Sequence, residues 1–175
     1  MKPDILILGS SSFLTNPIIN SINKFKPYKI LCLTHSKLKK GSNNSNFKQL
    51  RIDYSDPNLE NIDFSNCKYI INLVNSYLLK RIEVIYFRQF LKYALSNSSA
   101  KLLHISTVSV YGRCRDNFIN EESKCIPKNK YQIVKREEEI VLSDITEKLN
   151  CELFLFRPTQ IIGEKSINCQ SIIKS

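Results

Sequence analysis

Short apolar segments alternate with longer amphipathic segments along almost the whole chain. The apolar segments predict six strands, at residues 4–8, 29–34, 48–52, 69–74, 101–106 and 152–156. The amphipathic segments predict three helices, at residues 16–25, 77–96 and 131–149, with loops at 43–46 and 113–130. Apolar strands that alternate with helices are typical of a parallel sheet covered by helices on both faces. We therefore expect an α/β fold built on a doubly wound parallel sheet.

Length and composition favour one folded domain. A chain of 175 residues with 42% hydrophobic content can bury one sizeable core, so residues 1–175 are expected to form a single domain.

The six cysteines are scattered without a Cys-x-x-Cys pair, which favours reduced thiols over a disulfide framework or a metal site. The N-terminal apolar stretch is too short for a signal peptide, and no run is long enough to span a membrane. We expect a cytoplasmic protein.

The net charge of +10 admits two interpretations. Clustered lysine and arginine can bind nucleic acid by releasing counterions from its phosphates. Here the densest basic stretch, residues 37–40, has no interleaved aromatic residue, and the chain is generally rich in Lys, Asn, Ile and Ser. The charge therefore favours attraction to the phosphates of a cofactor or substrate over nucleic-acid binding.

Three polar residues suggest proton-transfer chemistry. Tyr131 and Lys135 lie one turn apart if a helix begins near Tyr131, and Thr107 follows the fifth predicted strand. A tyrosine phenol, with an ordinary pKa near ~10, is a poor base at neutral pH. The Lys135 ammonium, with a second cation such as an oxidised nicotinamide ring, can lower the pKa of Tyr131 toward the range in which proton transfer is efficient. Taken alone, a Tyr and a Lys at this spacing more often form a solvated pair.

The order of the motifs resembles the extended short-chain dehydrogenase/reductase family, which includes NAD-dependent nucleotide-sugar epimerases and dehydratases. The motifs lie at residues 5–15, 52–53, 70–74, 106–112, 131–135 and 156–163, and they contain three of the four glycines. The resemblance implies a Rossmann-like NAD(P)-binding fold. It also implies that Thr107 holds the substrate oxygen, Tyr131 is the acid/base, and Lys135 binds the nicotinamide ribose.

The resemblance places the cofactor at the carboxyl ends of the strands, with its pyrophosphate at the N-terminus of the first helix. Gly9 is retained there, whereas Ser12 and Thr15 replace two glycines of the family. The Ser12 side chain would either crowd the phosphate or donate a hydrogen bond to it, and Thr15 would cap the helix. Besides Tyr131 and Lys135, the implied cofactor-binding residues are Gly9, Ser11, Ser12, Phe13, Leu14, His35, Lys37, Asp53, Tyr54, Leu73, Val74, Asn75 and Pro158.

The second strand ends without the acidic residue that would bind the ribose of NAD. His35, Ser36 and Lys37 occupy this corner, followed by Lys39 and Lys40. A basic, hydroxyl-bearing corner suits the 2′-phosphate of NADP, so NADP is slightly favoured over NAD. Taken alone, His35 is interpreted equally well as a surface histidine that binds no cofactor. Asp53 would contact the adenine by resemblance, although an isolated aspartate here is more often part of a turn.

The implied function is that of an NAD(P)-dependent oxidoreductase or epimerase, which acts on a nucleotide-sugar or a related carbonyl or hydroxyl substrate by hydride transfer. Dehydratases of the family carry Asp-Glu after the catalytic Ser or Thr, and Val108 and Ser109 stand there, which argues against dehydration. His104, within a strand, is interpreted as a packed or hydrogen-bonded histidine. Ser12 and Thr15 keep open a second interpretation, a non-catalytic dinucleotide-binding or interaction protein of the same fold.

Members of this family normally continue well beyond the Arg157-Pro158 motif with a smaller substrate domain. Here the chain stops at Ser175, so we expect that domain to be largely absent and turnover by this chain alone to be weak. Family members also pair through two long helices. The predicted helices 77–96 and 131–149 are therefore candidates for a homodimer interface.

Overall fold

The strand Ile5–Leu8 is one of the two middle strands of a six-stranded sheet, and all four of its residues are buried. The computed structural model describes residues 2–35, 46–55, 62–113 and 118–162. Its six strands are β1 (Ile5–Leu8), β2 (Ile30–Thr34), β3 (Phe47–Arg51), β4 (Tyr69–Asn72), β5 (Lys101–Ile105) and β6 (Leu153–Phe156). All of them pair in parallel, in the order β3-β2-β1-β4-β5-β6. The parallel sheet expected from the sequence is confirmed.

Helices cover both faces of this sheet. They are α1 (Thr15–Phe25), α2 (Arg81–Ser96) and α3 (Lys130–Lys148). Helix α1 packs Ile19 against Ile5, Ile7 and other apolar residues on one face. Helices α2 and α3 pack on the opposite face, against the leucines of β1 and β2. The fold is therefore a doubly wound, Rossmann-like sheet.

The chain order creates a crevice at the carboxyl end of the sheet. From β1 the chain proceeds outward to β2 and β3, then returns to β4 on the other side of β1 and proceeds to β5 and β6. Strand order thus reverses between β1 and β4, where Leu8 lies opposite Asn72. Open α/β sheets bind ligands at such a point, because the following loops diverge to opposite faces.

Helix α2 shows how the sequence directs a helix onto the sheet. Its buried side chains follow helical spacing along one face, at Phe87, Phe90, Leu91, Ala94 and Leu95. The Glu83 carboxylate accepts a hydrogen bond from the backbone N–H of Lys80 at 2.6 Å and closes the first turn. Helix α3 begins similarly, since the Asn129 side chain accepts from the Gln132 N–H at 2.9 Å.

Several predicted element boundaries are wrong, by one to four residues. Helix α2 begins at Arg81 and not at Tyr77, because residues 76–78 form a separate 3₁₀ turn. The Asn75 side chain begins this turn by accepting from the Tyr77 N–H at 3.3 Å. Strand β4 ends at Asn72 and not at Val74, since the Asn72 side chain accepts the Val74 N–H at 3.0 Å. Side-chain hydrogen bonds thus replace the regular backbone bonding at both points.

The remaining differences are smaller. Strand β3 begins and ends one residue earlier than predicted, and β5 ends at Ile105, one residue before its predicted end.

The four cysteines among the described residues are free thiols. Burial raises the pKa of Cys32 to about 12, and that of Cys67 to about 11. None of the helices in the described ranges is long and apolar enough to cross a membrane.

Candidate functional site

Two adjoining cavities lie at the carboxyl ends of the strands. The smaller, of about 250 Å³, is lined by Ser12, Phe13, Leu14, Leu73, Asn75, Ile105, Ser106, Thr107, Tyr131, Lys135, Pro158, Thr159 and Ile161. The larger, of about 660 Å³, is lined by Gly9, Ser11, Ser12, Phe13, His35, Tyr54, Leu73, Val74, Asn75, Leu78, Leu79, Lys80 and Glu83. The two cavities share a wall, which is formed by Ser12, Phe13, Leu73 and Asn75.

The smaller cavity brings together Thr107, Tyr131 and Lys135, as the sequence predicts. Thr107 follows β5 and begins the 3₁₀ turn of residues 108–111, and its Oγ1 accepts from the Ser109 N–H at 3.2 Å. Tyr131 and Lys135 occupy the first turns of α3. Gly112, with φ of +68°, ends the 108–111 turn; an added Cβ would collide with the carbonyl oxygen of Ile126. A glycine is therefore required where the chain leaves Thr107.

The environment of Tyr131 favours the protonated phenol. Its ring packs edge to face against Tyr77, with the ring centres 5.6 Å apart. Burial and the negative charge of Glu138 raise the pKa of Tyr131, and a hydrogen bond with Thr107 acts in the opposite direction. The Lys135 ammonium is paired with a carboxylate and does not offset this increase. The predicted joint effect of Lys135 and an oxidised nicotinamide ring on this pKa stays a prediction.

That carboxylate belongs to Glu138, which sequence reasoning missed. Lys135 is buried, and its Nζ donates to Glu138 Oε2 at 2.8 Å. Glu138 Oε1 accepts from the Ser76 N–H, also at 2.8 Å. Burial raises the pKa of Glu138, but His104, Lys135 and Ser76 outweigh this effect and lower it to about 2. The signal in the sequence was the spacing of three residues, which puts Glu138 beside Lys135 on one helix face.

His104 is buried and hydrogen-bonded, as expected for a histidine within β5. Asn72 Oδ1 accepts from the Val74 N–H, so Asn72 Nδ2 is the atom that donates to His104 Nδ1, at 3.0 Å. These partners assign the His104 proton to Nε2. That nitrogen lies 3.5 Å from Glu138 Oε2, and it has no well-formed hydrogen bond among the described residues.

Glu139, the next residue of α3, has a separate set of partners. Its fully buried carboxylate accepts from Arg157 Nε at 2.8 Å and from Ser106 Oγ at 2.6 Å. Arg136 donates to the same carboxylate at 2.8 Å. Burial raises the pKa of Glu139, and these donors reverse the effect and lower it. The network fixes β6 and the residue before Thr107 against α3.

At the larger cavity, Gly9 has a positive φ of +75° and lies against the loop after β4. A Cβ there would lie 2.8 Å from the Leu73 carbonyl carbon and the Val74 nitrogen. Ser12 Oγ accepts from the Leu14 N–H at 3.3 Å. The expectation that Thr15 caps α1 is wrong: Thr15 is the first helical residue, and its buried Oγ1 has no hydrogen-bond partner among the described residues.

The structure separates the residues predicted near the adenosine. His35 and Tyr54 line the larger cavity with their rings stacked 6.3 Å apart, and His35 Nε2 lies 3.8 Å from Glu83 Oε1. Asp53 does not line either cavity, because its exposed carboxylate accepts from the Ser55 N–H and Oγ. These bonds lower the pKa of Asp53. Lys37 lies outside the described residues.

The residues fit an extended dinucleotide in two respects. A continuous surface runs from Lys135 through the shared wall to Tyr54, which matches a ligand with two nucleoside ends. In addition, the buried Tyr54 hydroxyl beside the larger cavity has no hydrogen-bond partner in the described part of the chain. Buried polar atoms are seldom left unpaired, so this hydroxyl indicates a missing polar partner.

Three solved structures with a similar fold are described as enzymes that act on sugar nucleotides. UDP-glucuronic acid 4-epimerase from Bacillus cereus in complex with NAD matches with a TM-score of 0.70 at 20% identity, over 93% of this chain and 57% of that one. UDP-N-acetylglucosamine 4-epimerase from Methanobrevibacter ruminantium M1, in complex with UDP-N-acetylmuramic acid, matches with a TM-score of 0.65 at 21% identity, over 90% and 55%. The dTDP-glucose 4,6-dehydratase DesIV from Streptomyces venezuelae, a double mutant with NAD bound, matches with a TM-score of 0.70 at 15% identity, over 87% and 54%.

These likenesses establish the fold, and the chain spans a little over half the length of the three solved structures. No curated protein matches it. Residues 5–173 match the NAD dependent epimerase/dehydratase family, which is nearly the whole sequence. The match includes every motif that lines the two cavities. The chain therefore belongs to the NAD dependent epimerase/dehydratase family.

Proposed function

We propose that this chain binds a nicotinamide dinucleotide across the two cavities and supports hydride transfer to or from a nucleotide-sugar, as an epimerase or reductase. The observation that carries the proposal is the convergence of Thr107, Tyr131 and Lys135 on one cavity that shares a wall with the Gly9 cavity. A proton donor, a hydroxyl and a cation thereby line a single small space. Such a set suits a reaction in which one oxygen gains or loses a proton.

The chain's residues divide between holding the cofactor and moving a proton. Gly9, Ser12 and the N-terminus of α1 would hold the pyrophosphate, and Lys135 would hold the ribose beside the nicotinamide. When bound, the dinucleotide supplies or accepts a hydride. Thr107 would donate a hydrogen bond to the substrate oxygen. Tyr131, whose environment keeps its phenol protonated, would donate a proton to that oxygen during reduction and accept it during oxidation.

A nucleotide-sugar is proposed as the substrate on two grounds. The matched solved structures include complexes with UDP-glucuronic acid and UDP-N-acetylmuramic acid. The net charge of +10 would also attract the diphosphate of such a substrate. Because Val108 and Ser109 offer no acid or base after Thr107, we favour epimerisation or reduction over dehydration.

The cofactor preference is a finer proposal. His35 stands at the end of β2, on the wall of the larger cavity, and no acidic residue follows that strand. Both features support NADP over NAD. Glu83 faces His35 and acts in the opposite direction, because a carboxylate repels a 2′-phosphate. The matched structures named above contain NAD. Substitutions at His35, Lys37 and Glu83 therefore test the preference between NADP and NAD.

A homodimer is also proposed, through α2 and α3. The two helices carry exposed apolar side chains at Ile82, Ile85, Tyr86, Ile133 and Ile140. Apolar side chains repeated along two neighbouring helices favour burial against another surface. A second copy of this chain would supply the same surface, as closed symmetric pairs do.

A non-catalytic dinucleotide-binding protein is the second candidate. Ser12 and Thr15, which stand in place of glycines, favour it. Isothermal titration calorimetry with NAD and NADP, followed by turnover assays with UDP-, GDP- and dTDP-sugars, separates the two. We expect dinucleotide binding that Lys135→Ala weakens and that Lys130→Ala, on the exposed start of α3, leaves unchanged. Binding without turnover would support the second candidate. Absence of dinucleotide binding would refute both.

A further inference from the structure

The 76–78 turn is docked onto helix α3 at two points. The backbone N–H of the buried residue Ser76 donates to Glu138 Oε1 at 2.8 Å. The ring of Tyr77, the next residue, packs edge to face against Tyr131, with the ring centres 5.6 Å apart and the ring planes at 84°. The first contact comes from the backbone of the turn, and the second from a side chain. The two contacts can therefore be changed separately.

Hydrogen bonds that do not involve the Tyr77 side chain hold the turn against α3. Glu138 Oε2 accepts from Lys135 Nζ at 2.8 Å, so the carboxylate that binds the Ser76 N–H is itself fixed. Asn75 Oδ1 accepts from the Tyr77 N–H at 3.3 Å. A substitution at Tyr77 keeps both of these bonds, because they use its backbone or other residues. It should therefore remove the ring contact and leave the turn in place.

The helix alone does not fix the ring of Tyr131. This residue stands in the first turn of α3 and is half-buried. An aromatic side chain on a helix has two favoured χ1 rotamers, which point the ring in different directions. Aromatic rings in contact attract each other in an edge-to-face arrangement. The Tyr77 ring therefore favours the one Tyr131 rotamer that keeps this contact.

We propose that Tyr77 is a positioning residue that holds the Tyr131 ring in one rotamer at the wall of the smaller cavity. Tyr131 lines that cavity, whereas Tyr77 is not among the described residues that line either cavity, so Tyr77 acts through Tyr131. The inference rests on the proposed function, in which the Tyr131 hydroxyl donates a proton to a substrate oxygen.

The rotamer of Tyr131 matters for rate because a proton donor must lie within hydrogen-bond reach of its acceptor. A displacement of about 1 Å in a catalytic group can lower a rate by roughly 100-fold. A change of χ1 rotamer moves a tyrosine hydroxyl much farther than this. The ring contact should therefore affect the rate of proton transfer more than the affinity for the dinucleotide.

The test is the χ1 rotamer of Tyr131 in the dinucleotide-free chain, which requires no turnover. In protein with labelled tyrosine, three-bond NMR couplings from Cγ to the backbone nitrogen and carbonyl carbon of Tyr131 give the rotamer populations. The Tyr131 signals are those missing in Tyr131→Phe. We expect one rotamer in the unaltered chain and in Tyr77→Phe, which keeps the ring. In Tyr77→Ala we expect a mixture of two rotamers.

Tyr69→Ala is the matched control. Tyr69 is 42% exposed and Tyr77 is 43% exposed, but Tyr69 begins β4 and so lies at the end of the sheet opposite the two cavities. We expect Tyr69→Ala to keep one Tyr131 rotamer. A single rotamer in folded Tyr77→Ala, or equal mixing in the two alanine variants, would overturn the proposal.

Circular dichroism establishes whether each variant is folded. If Tyr77→Ala does not fold, the unaltered chain still decides. Overhauser effects between the ring protons of Tyr77 and Tyr131, together with a single Tyr131 rotamer, would support the proposal. Their absence, or a mixture of rotamers in the unaltered chain, would overturn it.

Turnover of a nucleotide-sugar by the same variants separates positioning from binding. Tyr77→Ala should lower kcat by roughly tenfold or more while the Kd of the dinucleotide stays nearly unchanged, and Tyr77→Phe should restore kcat. An unchanged kcat in Tyr77→Ala would overturn the proposal. Failure of the proposed function would appear as absent dinucleotide binding in the calorimetric titration, whereas failure of this inference would appear in the NMR couplings.

Discussion

The guanidinium of Arg157 holds the carboxylate of Glu139 with two hydrogen bonds, from Nε at 2.8 Å and from Nη2 at 2.9 Å. The same guanidinium donates from Nη1 to the Tyr111 hydroxyl at 2.6 Å. Glu139 in turn accepts from Ser106, the residue before Thr107. One arginine thus joins β6, α3 and the 108–111 turn behind the candidate site.

Replacement of Arg157 by alanine should destabilise the fold by about 3 to 5 kcal/mol, because it leaves the buried Glu139 charge without its main partner. Urea unfolding followed by circular dichroism measures the loss. Arg136→Ala is the control: this arginine contacts the same carboxylate but is about one-third exposed, so its removal should cost less than about 1 kcal/mol. Equal losses in the two variants would contradict the role assigned to Arg157.

Tyr131→Phe should lower turnover by roughly 100-fold or more, because it removes the positioned proton donor and leaves the ring in place. Dinucleotide binding should remain nearly intact, whereas Lys135→Ala should damage both turnover and binding. Steady-state kinetics and calorimetry measure the two effects. Tyr77→Phe, which keeps the ring contact with Tyr131, should retain turnover. Full activity in Tyr131→Phe would mean that Tyr131 and Lys135 are only a helix pair.

The unaltered chain should bind NADP more tightly than NAD. Replacing Lys37 and Lys39 with alanine should weaken NADP about tenfold or more and NAD far less, since each charge-assisted bond to the 2′-phosphate is lost. Glu83→Gln should tighten NADP, because it removes the carboxylate facing His35 and can still cap α2. Lys92→Ala, at an exposed position on α2, is the neutral control. Equal or tighter binding of NAD by the unaltered chain would overturn this preference.

Stability should fall in acid through the two buried glutamates of α3. The pKa of each is lower in the folded chain than its ordinary value of 4.5, so the unfolded state binds more protons in this range. Their contribution is therefore fully present above pH 4.5. For Glu138 it is lost as the pH falls toward about 2. Urea midpoints between pH 6 and pH 3 should decrease less steeply in Glu138→Gln than in the unaltered chain, whereas Asp144→Asn, at an exposed carboxylate, should keep the original slope.

A charge placed on the outer face of α2 or α3 should abolish the proposed homodimer. Ile85→Glu and Ile140→Glu each put a carboxylate among exposed apolar side chains, where burial against a second copy would leave it unpaired. Light scattering coupled to size-exclusion chromatography should show half the mass of the unaltered protein. Phe25→Glu changes an equally apolar and more exposed side chain on α1, and it should leave the mass unchanged. A monomer in the unaltered protein would refute the proposed interface.

The sheet and most of the site could be predicted because they depend on local sequence. Apolar runs specify strands, and the spacing of Tyr131 and Lys135 specifies one helix face. The structure brings Gly9, Ser11, Ser12, Phe13, Leu14, His35, Tyr54, Leu73, Val74, Asn75, Thr107, Tyr131, Lys135 and Pro158 to the two cavities. Their roles toward a cofactor stay predictions.

The features that the sequence did not predict depend on which hydrogen-bond partner each side chain finds in the folded chain. Asp53 lies away from both cavities because Ser55, two residues later, binds its carboxylate. Glu138 was missed because its importance arises from Ser76 and His104, which the fold brings from distant parts of the sequence. The start of α2 was placed too early because residues 77–79 continue the helical pattern, whereas the Asn75 side chain forms a separate turn.

Strand β1 consists of alternating isomers, Ile-Leu-Ile-Leu, with isoleucines toward α1 and leucines toward α2 and α3. A slip of one residue would exchange the two sets and present almost the same side-chain volumes to each core. Its hydrophobic pattern therefore does not specify its register. The ends of the strand carry contacts that a slip would break: the Asp4 carboxylate accepts the Lys29 N–H at 2.9 Å, and only a glycine fits at position 9 against Leu73. The Asp4 carboxylate and the bare Cα of Gly9 thus distinguish the observed pairing of β1 from one shifted by a residue, and a substitution at either position removes one of these two distinctions.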